Sequence, residues 1–226
     1  NGLPDVTCRA LSRVGAERYD WIVLGQVLVE IAGNVSEAAS VDRIFRCVRE
    51  LREQNLAPGG KIIIVEPALR EATRRLQALR DRVLAEGLAH VLAPCTHQGA
   101  CSMLQNPKDW CHDDLDVDLP DWLHATARAA GLRWQGLTFS RLVLSDTPTA
   151  RPPFRVVAPP RDTKGKTERL LCGDHPDGSR LKWVDRLERQ RTETNAEWDV
   201  LARGDGVALA SGTIRVGPET MVKRSP

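Results

Sequence analysis

The sequence predicts an α/β fold, in which an open sheet is followed by a small antiparallel β unit. Two short apolar runs, each followed by apolar residues at helical spacing, predict strand–helix–strand–helix over about the first 90 residues. Beyond residue 147, short strand candidates alternate with turns rich in Gly, Pro and Asp, which is typical of antiparallel sheets. We therefore predict an α/β domain over residues 1–146 and a β-rich domain over residues 147–226.

The first strand is predicted in "YDWIVLGQVLVEI", Tyr19–Ile31. All four positions from Trp21 to Leu24 are apolar and Gly25 follows, a pattern typical of a parallel strand that is buried on both faces. A helix is predicted next, because apolar residues recur there at helical spacing. These residues are Val41, Ile44, Phe45, Val48 and Leu51.

The second strand is predicted at Ile62–Val65, an apolar β-branched run that follows a turn at Pro58–Gly60. Pro67 ends this strand. A long amphipathic helix is predicted after it, with Gly87 near its end. The apolar positions of that helix are Leu69, Ala72, Leu76, Leu79 and Val83.

A short helix and a strand are predicted after a cysteine-rich segment. Asp118 is a candidate N-cap, Pro120 falls in the first turn, and Gly131 follows the helix end. The strand spans Leu137–Asp146, and Thr147–Pro153 is a linker. The strand candidates of the β-rich domain are Arg155–Ala158, Glu168–Leu171, Arg180–Val184 and Val207–Val216.

The cysteine loop, residues 93–115, reads "APCTHQGACSMLQNPKDWCHDDL" and holds Cys95, Cys101 and Cys111. Clustered cysteines in a chain with so few of them favour a metal or catalysis over a disulfide scaffold. The gaps C-x5-C and C-x9-C lack the C-x2-C of most zinc sites, although His97 and His112 are possible zinc ligands. Unligated buried thiols or a disulfide pair are the alternatives. The remaining Cys8 and Cys47 lie outside the pattern.

The charge of the chain is nearly balanced, with 32 Lys and Arg against 30 Asp and Glu. The sequence contains no run of 18 apolar residues, so it predicts no membrane span. The stretch Arg151–Arg191 holds 11 basic against 6 acidic residues, and arginine suits phosphate contact. The helix after the second strand carries a second group of arginines, namely Arg70, Arg74, Arg75, Arg80 and Arg82. We interpret both groups as RNA-binding surfaces, and a solvated helix face is the alternative for the second group.

The order of a strand beginning with "YD", a helix, and "LAPGGKIII" leading into another helix looks like strands four and five of a class I S-adenosylmethionine-dependent methyltransferase. The glycine-rich first turn of that Rossmann-like fold is missing, since no G-x-G-x-G occurs. We therefore expect the chain to be the C-terminal half of such a domain. Gly25 and Gln26 are then the predicted cofactor-binding residues. Glu30 and Glu66 lie at the same edge, as further candidates or as helix caps.

Four segments in order carry a more specific resemblance: "YDWIVLGQVLVEI", "LAPGGKIIIVEPALREATRRLQALRDRVL", "APCTHQGACSM" and "DWCH". Together they resemble the mitochondrial small-ribosomal-subunit methyltransferase-like assembly factors and their bacterial relatives, from about Tyr19 to Lys182. The family pattern has proline or glycine where this chain has Ala68, Thr96 and Ser102.

The resemblance implies a [4Fe–4S] cluster on four cysteines. Cys95, Cys101 and Cys111 match the family pattern, and the fourth ligand is expected from the downstream β unit. Cys172 ends the strand candidate "TERLLC" and is followed by Gly173, so we predict it as that ligand. Four thiolates also suit Zn²⁺, which stays open.

The resemblance therefore implies an S-adenosylmethionine-dependent rRNA methyltransferase-like protein with a [4Fe–4S] cluster, acting at the small ribosomal subunit. A non-catalytic RNA-binding assembly factor and a zinc-binding interaction module are the alternatives. The expected location is the cytoplasm of a bacterium, or the mitochondrial matrix in a eukaryote. The target nucleotide and the oligomeric state stay open.

Overall fold

The structure, a computed structural model, describes residues 15–131, 136–209 and 213–225. Cys8 lies outside the described residues. The described chain forms two sheets, each with a separate cluster of buried apolar side chains. This architecture confirms a mixed α/β fold, whereas the domain boundary after residue 146 stays a prediction.

The first sheet begins with two parallel strands joined through helices. Its elements are β1 (Tyr19–Gly25), α1 (Leu28–Ala32), α2 (Glu37–Glu50), a π-helical turn (Leu51–Asn55), β2 (Leu56–Pro67) and α3 (Arg70–Ala85). Helix α2 starts where the Ser36 side chain accepts a hydrogen bond from the Ala39 amide. The predicted turn at Pro58–Gly60 is a bulge within β2, because the register with β1 jumps from Leu56 to Lys61.

The rest of this sheet surrounds the cysteine loop. The elements are β3 (His90–Ala93), a 3₁₀ turn (Ser102–Gln105), β4 (Asp113–Leu115), α4 (Asp121–Ala129) and β5 (Leu137–Ser145). The strand order is β1-β2-β5-β3, with β4 paired to the outer end of β5. Strand β5 runs antiparallel to both of its neighbours, β2 and β3. The cysteine loop therefore leaves the sheet at β3 and returns to it at β4.

Helices α2 and α3 cover one face of this sheet. Their apolar stripes pack on alternate residues of β2 and β5, such as Ile62, Ile64 and Leu142. The opposite face of β1 is open: Trp21 is 65% exposed and Val23 is 61% exposed. The prediction that β1 is buried on both faces is therefore wrong. It lies at the sheet edge with one covered face.

The second sheet is mostly antiparallel, as predicted. Its strands are β6 (Phe154–Val156), β7 (Arg161–Thr163), β8 (Lys166–Gly173), β9 (Leu181–Leu187), β10 (Gly206–Ala208), β11 (Arg215–Val216) and β12 (Lys223–Ser225). The order is β11-β9-β8-β6-β10-β12, with β7 on β8, and β11 runs parallel to β9. Two 3₁₀ segments, Glu188–Gln190 and Glu193–Val200, follow β9. The second of them buries Trp198 in the core.

Some predicted boundaries differ from the structure. Helix α4 has its N-cap at Pro120 instead of Asp118, while Gly131 follows the helix end with a positive φ of 70°, as predicted. Leu69 precedes α3 and is exposed. The single strand predicted at Val207–Val216 is two strands, β10 and β11, and residues 210–212 between them lie outside the described residues.

Among residues 15–131, 136–209 and 213–225, no helix combines the length and the apolar character that a bilayer span requires.

Candidate metal centre

The four predicted cysteine ligands line one cavity between the two sheets. Cys95, Cys101 and Cys111 come from the cysteine loop, and Cys172 comes from β8. The cavity leaves about 40 Å³ for the centres of water-sized molecules. All described cysteines are free thiols, so the disulfide alternative is wrong for these four. The structure thus brings together residues that lie as much as 77 positions apart in the chain.

Arg74 of α3 holds the middle of the cysteine loop. Its guanidinium donates hydrogen bonds to four backbone carbonyl oxygens, those of Met103, Leu104, Asn106 and Asp109, at 2.9–3.3 Å. Irregular backbone needs such partners, since it lacks the hydrogen bonds of a helix or sheet. Arg74 therefore fixes the path of the loop between Cys101 and Cys111.

Arg80 and Asp81, one turn and a half further along α3, hold the beginning of the loop. Arg80 is 2% exposed and donates to the carbonyl oxygens of His97, at 2.7 Å, and Gly99. The Asp81 carboxylate accepts from the amide of Cys101 at 3.0 Å. Arg80 also pairs with Asp81 at 2.5 Å. The prediction that Arg74 and Arg80 belong to an RNA-binding or solvated helix face is therefore wrong.

Cys172 is positioned differently, by the regular ladder of the second sheet. It pairs with Arg155 of β6 on one side and Leu181 of β9 on the other. A Cβ atom on the next residue, Gly173, would lie 2.3 Å from the carbonyl oxygen of Pro153. Only glycine therefore allows β6 to approach β8 so closely beside Cys172.

Two contacts join the loop to the second sheet at the cavity. The Thr96 hydroxyl donates to the carbonyl oxygen of Cys172 at 3.1 Å. Arg155, which is 4% exposed, donates to Sγ of Cys111 at 3.0 Å and pairs with Asp113. A buried cation thus lies against the sulfur of a candidate ligand.

Burial dominates the electrostatics of the thiols. It raises the pKa of Cys101 to about 12, and it also raises the pKa of Cys95 and Cys172. The charges of neighbouring cysteines raise each of these pKa values further, whereas Arg155 and Arg80 lower that of Cys95. Burial therefore favours the neutral thiol at Cys95, Cys101 and Cys172.

Several buried polar atoms at the cavity have no hydrogen-bond partner within the described part of the chain. They are Nε of Arg80, Nε of Arg155 and both amide atoms of Gln77. A buried unpaired donor costs free energy, so native proteins rarely leave one without an ion, water or ligand. Three of these four atoms are donors, a set that suits an anionic, sulfur-rich group.

The two histidines lie in different places. His97 is 3% exposed and lines the cavity, with Nε2 at 3.5 Å from Sγ of Cys172. Burial, then the charge of Arg80, lowers the pKa of His97 to about 4, so its imidazole is neutral at neutral pH. His112 instead stacks on Trp110 in a neighbouring groove. Only His97 is a possible metal ligand together with the cysteines.

Across residues 15–131, 136–209 and 213–225, no three His, Cys, Asp or Glu side chains converge as a set that could hold one metal ion. The four cysteines share a cavity wall without meeting at one point.

The predicted cofactor residues lie elsewhere, at the carboxyl edge of β1. Gly25 and Gln26 are exposed there, and Gln26 has a positive φ of 56°. Neither residue lines the cysteine cavity. Glu66, at the end of β2, is 2% exposed and accepts a hydrogen bond from the Leu28 amide at 3.1 Å, while Glu30 is exposed in the first turn of α1. The Glu66 side chain therefore caps the start of α1, which is the helix-cap alternative that the sequence left open for this residue.

Sequence reasoning missed the residues that hold the loop, above all Arg74, Arg80 and Arg155. One signal was available for Arg80. It lies four residues after Leu76 and three before Val83, inside the apolar stripe of its helix. An arginine at such a position must find partners in the interior.

The model of a family described as mitochondrial small ribosomal subunit Rsm22 matches residues 6–185, more than three quarters of the chain. No curated protein matches the chain.

Proposed function

The chain belongs to the Rsm22 family, and from this premise we propose that it binds the small ribosomal subunit through rRNA and carries a metal centre on four cysteines. The family description itself names the mitochondrial small ribosomal subunit. In a bacterium this function belongs to the cytoplasm, and in a eukaryote to the mitochondrial matrix.

The observation that carries the metal centre is the shared cavity of Cys95, Cys101, Cys111 and Cys172. A [4Fe–4S] cluster fits this site. The donor set consists of four thiols, and the buried guanidinium groups of Arg80 and Arg155 are suited to anionic sulfur. Zn²⁺ is the alternative for four thiolates, but it is less favoured because no three such ligands among the described residues converge on one ion.

The cluster would be structural. When bound, it would supply four metal–sulfur bonds that connect the cysteine loop of the first sheet to β8 of the second. Because the unfolded chain has no preformed site, the binding free energy would add to the stability of the folded chain. The residues of the chain itself hold the loop, shield the sulfurs from water and balance their charge.

The rRNA surface is smaller than the arginine content suggests. Arg155, Arg169 and Arg186 are buried, so they are unavailable to RNA. Arg155 bonds to Cys111 and Asp113, whereas Arg169 and Arg186 bond to Leu201 and Asn195 of the C-terminal unit. Exposed cations of the same stretch are Arg161, Lys164, Arg189 and Arg191, of which Arg191 pairs with Asp199. We assign the phosphate contacts to residues of this exposed group, which bind without reading sequence.

Methyl transfer from S-adenosylmethionine is the second candidate function. It is favoured by the exposed carboxyl edge of the parallel pair, where Gly25 and Gln26 form an open turn. Glu66 is occupied as a helix cap and takes no part. Isothermal titration of the complete protein with S-adenosylmethionine tests this candidate, and an absence of binding at millimolar cofactor contradicts it.

The metal centre is tested by metal and sulfide analysis of anaerobically purified protein. We expect about equal amounts of iron and sulfide, with little zinc. Cys172→Ser should lose most of the iron, whereas the matched control Cys47→Ser, in α2 away from the cavity, should keep it. Unchanged iron in Cys172→Ser, or zinc in place of iron, would show that the cluster proposal is wrong.

Ribosome binding is tested by sedimentation with purified small subunits over a range of salt concentrations. We expect the logarithm of the affinity to fall linearly with the logarithm of the salt concentration. Absence of binding at low salt, or binding without salt dependence, contradicts the rRNA proposal.

A further inference from the structure

A second cavity, the tryptophan groove, opens beside the cysteine cavity. It has a volume of about 480 Å³, within the range of small-ligand sites. Its lining includes Trp110 of the cysteine loop, Trp183 and Leu181 of β9, and Arg161 of β7. The groove thus combines two large aromatic rings with a cation, and its two walls come from the two sheets.

The aromatic rings are held in place by contacts of their own. Trp110 donates from Nε1 to the carbonyl oxygen of Ala68 at 3.1 Å and stacks on His112, with 5.9 Å between ring centroids. The guanidinium of Arg161 lies 3.8 Å from the centroid of the Trp183 ring. The groove therefore offers flat surfaces, of an indole and of a guanidinium, that are already oriented before any ligand enters.

Cations outnumber acids among the residues that line the groove. Arg161 and Lys108 are exposed at its rim, and within the described part of the chain neither forms an ion pair. The carboxylate of Asp109, which also lines the groove, accepts a hydrogen bond from the side-chain amide of Asn106 at 3.0 Å. Arg203, deeper in the groove, is neutralised by Asp114 at 3.0 Å. A ligand that satisfies both features needs a flat ring system and negative charge.

We propose that the tryptophan groove binds unstacked bases of single-stranded RNA, and this inference rests on the proposed rRNA association. The bases stack on Trp110 and on the Arg161–Trp183 pair, and Lys108 and Arg161 contact the flanking phosphates. Base-paired RNA is a poor ligand, because its rings are stacked within the helix and cannot enter the groove. An acidic peptide would match the charge but leave the rings without a partner.

The test is fluorescence anisotropy of the full chain with labelled octauridylate and with a hairpin duplex of equal charge. We expect clearly tighter binding of the single strand, and roughly ten-fold weaker single-strand binding in Trp183→Ala, from the size of one base–aromatic stacking contact. Trp122→Ala is the matched control, since Trp122 is 73% exposed in α4 and lies outside the groove lining.

Two further variants protect the test against misfolding, because Trp183 is half-buried in β9. Trp183→Phe should restore much of the binding by keeping an aromatic ring. Arg161→Gln, a change at an exposed residue, should weaken single-strand binding several-fold. Equal affinity of wild type, Trp183→Ala and Arg161→Gln for octauridylate would overturn the proposal, as would equal affinity for the duplex, or displacement of the RNA by octaglutamate at the same charge concentration.

Purified small subunits separate the two proposals. If wild type and Trp183→Ala sediment equally with subunits and bind octauridylate equally, the groove assignment is wrong while the ribosomal function stands. If wild type binds octauridylate but no subunits, the ribosomal function fails independently of the groove.

Discussion

The two sides of the cysteine cavity are built in different ways. On the loop side, Cys101 and Cys111 lie on irregular backbone that is held by side chains of α3, Arg74 and Arg80. On the strand side, Cys172 is held by the backbone ladder between β6, β8 and β9. The positions of the loop cysteines therefore depend on a few buried side chains, whereas the position of Cys172 depends on the backbone pairing of a sheet.

The difference teaches where the site is vulnerable. A ladder distributes its hydrogen bonds over many residues, so one substitution removes few of them. The loop concentrates its bonds on single guanidinium groups, and removal of one leaves several buried carbonyl oxygens unpaired. We expect substitutions on the loop side to cost more than those on the strand side.

The largest effect is expected for Arg80→Ala. The variant leaves Asp81 and two loop carbonyl oxygens without their buried cation, which should lower the free energy of unfolding by about 3–5 kcal/mol. Urea unfolding followed by circular dichroism measures this. The control Arg46→Ala removes an exposed ion pair to Asp42 and should cost less than about 1 kcal/mol. Equal costs for the two variants would contradict the loop-side anchor.

A smaller effect is expected for Arg155→Ala, which breaks the contact between the two sides. Asp113 keeps a second partner, Arg141, at 3.1 Å, so the loss should be about 2–3 kcal/mol. The same unfolding experiment applies, with Arg191→Ala as an exposed control. If the Arg155 variant is as stable as the control, Arg155 does not connect the two sides.

Gly173→Ala tests the strand side. The added methyl group meets the Pro153 carbonyl oxygen and the Phe154 ring, and this overpacking should cost about 1–3 kcal/mol. Gly217→Ala is the matched control, since its Cβ would make only an ordinary contact, 3.8 Å from Oγ1 of Thr220. A loss larger than that of Arg80→Ala would reverse the order of the two sides.

The smallest effect is expected for Glu66→Gln, a change near the carboxyl end of β2 in the first sheet. Burial raises the pKa of Glu66, so the folded chain holds this proton more tightly than the unfolded chain. The wild type therefore loses stability as the pH rises from the unfolded pKa through the folded pKa, and the variant does not.

At one fixed pH the change should be on the order of 1 kcal/mol or less, because the amide oxygen still accepts from Leu28. Unfolding curves between about pH 4 and pH 7 should show the variant gaining stability relative to wild type as the pH rises. The opposite slope would mean that the Glu66 pKa is lowered by folding.

The regular elements could be predicted from the sequence, because apolar runs and helical spacing are local signals. Strands β1 and β2 and helices α2 and α3 were found in this way. The exposure of Trp21 could not be predicted, since an apolar run looks the same whether one or both faces are covered. The parallel pairing of β11 with β9 depends on residues distant in the chain and also left no local signal.

For the candidate site, family resemblance supplied three cysteines and the expectation of a fourth, and Cys172 was predicted from its place at the end of a strand candidate. The structure places all four around one cavity. Local pattern could have shown that Arg80 lies in the apolar stripe of its helix, but it could not show what Arg74 or Arg80 binds. Arg74 and Arg80 bond to backbone carbonyl oxygens, which every residue carries, so nothing in the loop sequence identifies it as their partner. The same helical arginines therefore suggested a surface for RNA.

The order of these residues along the chain has a consequence for biosynthesis. Cys172 follows Cys111 by 61 residues, so a translating ribosome adding 5–20 residues per second delivers the fourth thiol about 3–12 s after the third. Helix α3, with Arg74 and Arg80, is synthesised before the loop that it holds. Every new chain thus passes through an interval with three organised thiols and no fourth. The speed of translation sets how long those thiols are exposed to oxygen before Cys172 can join them.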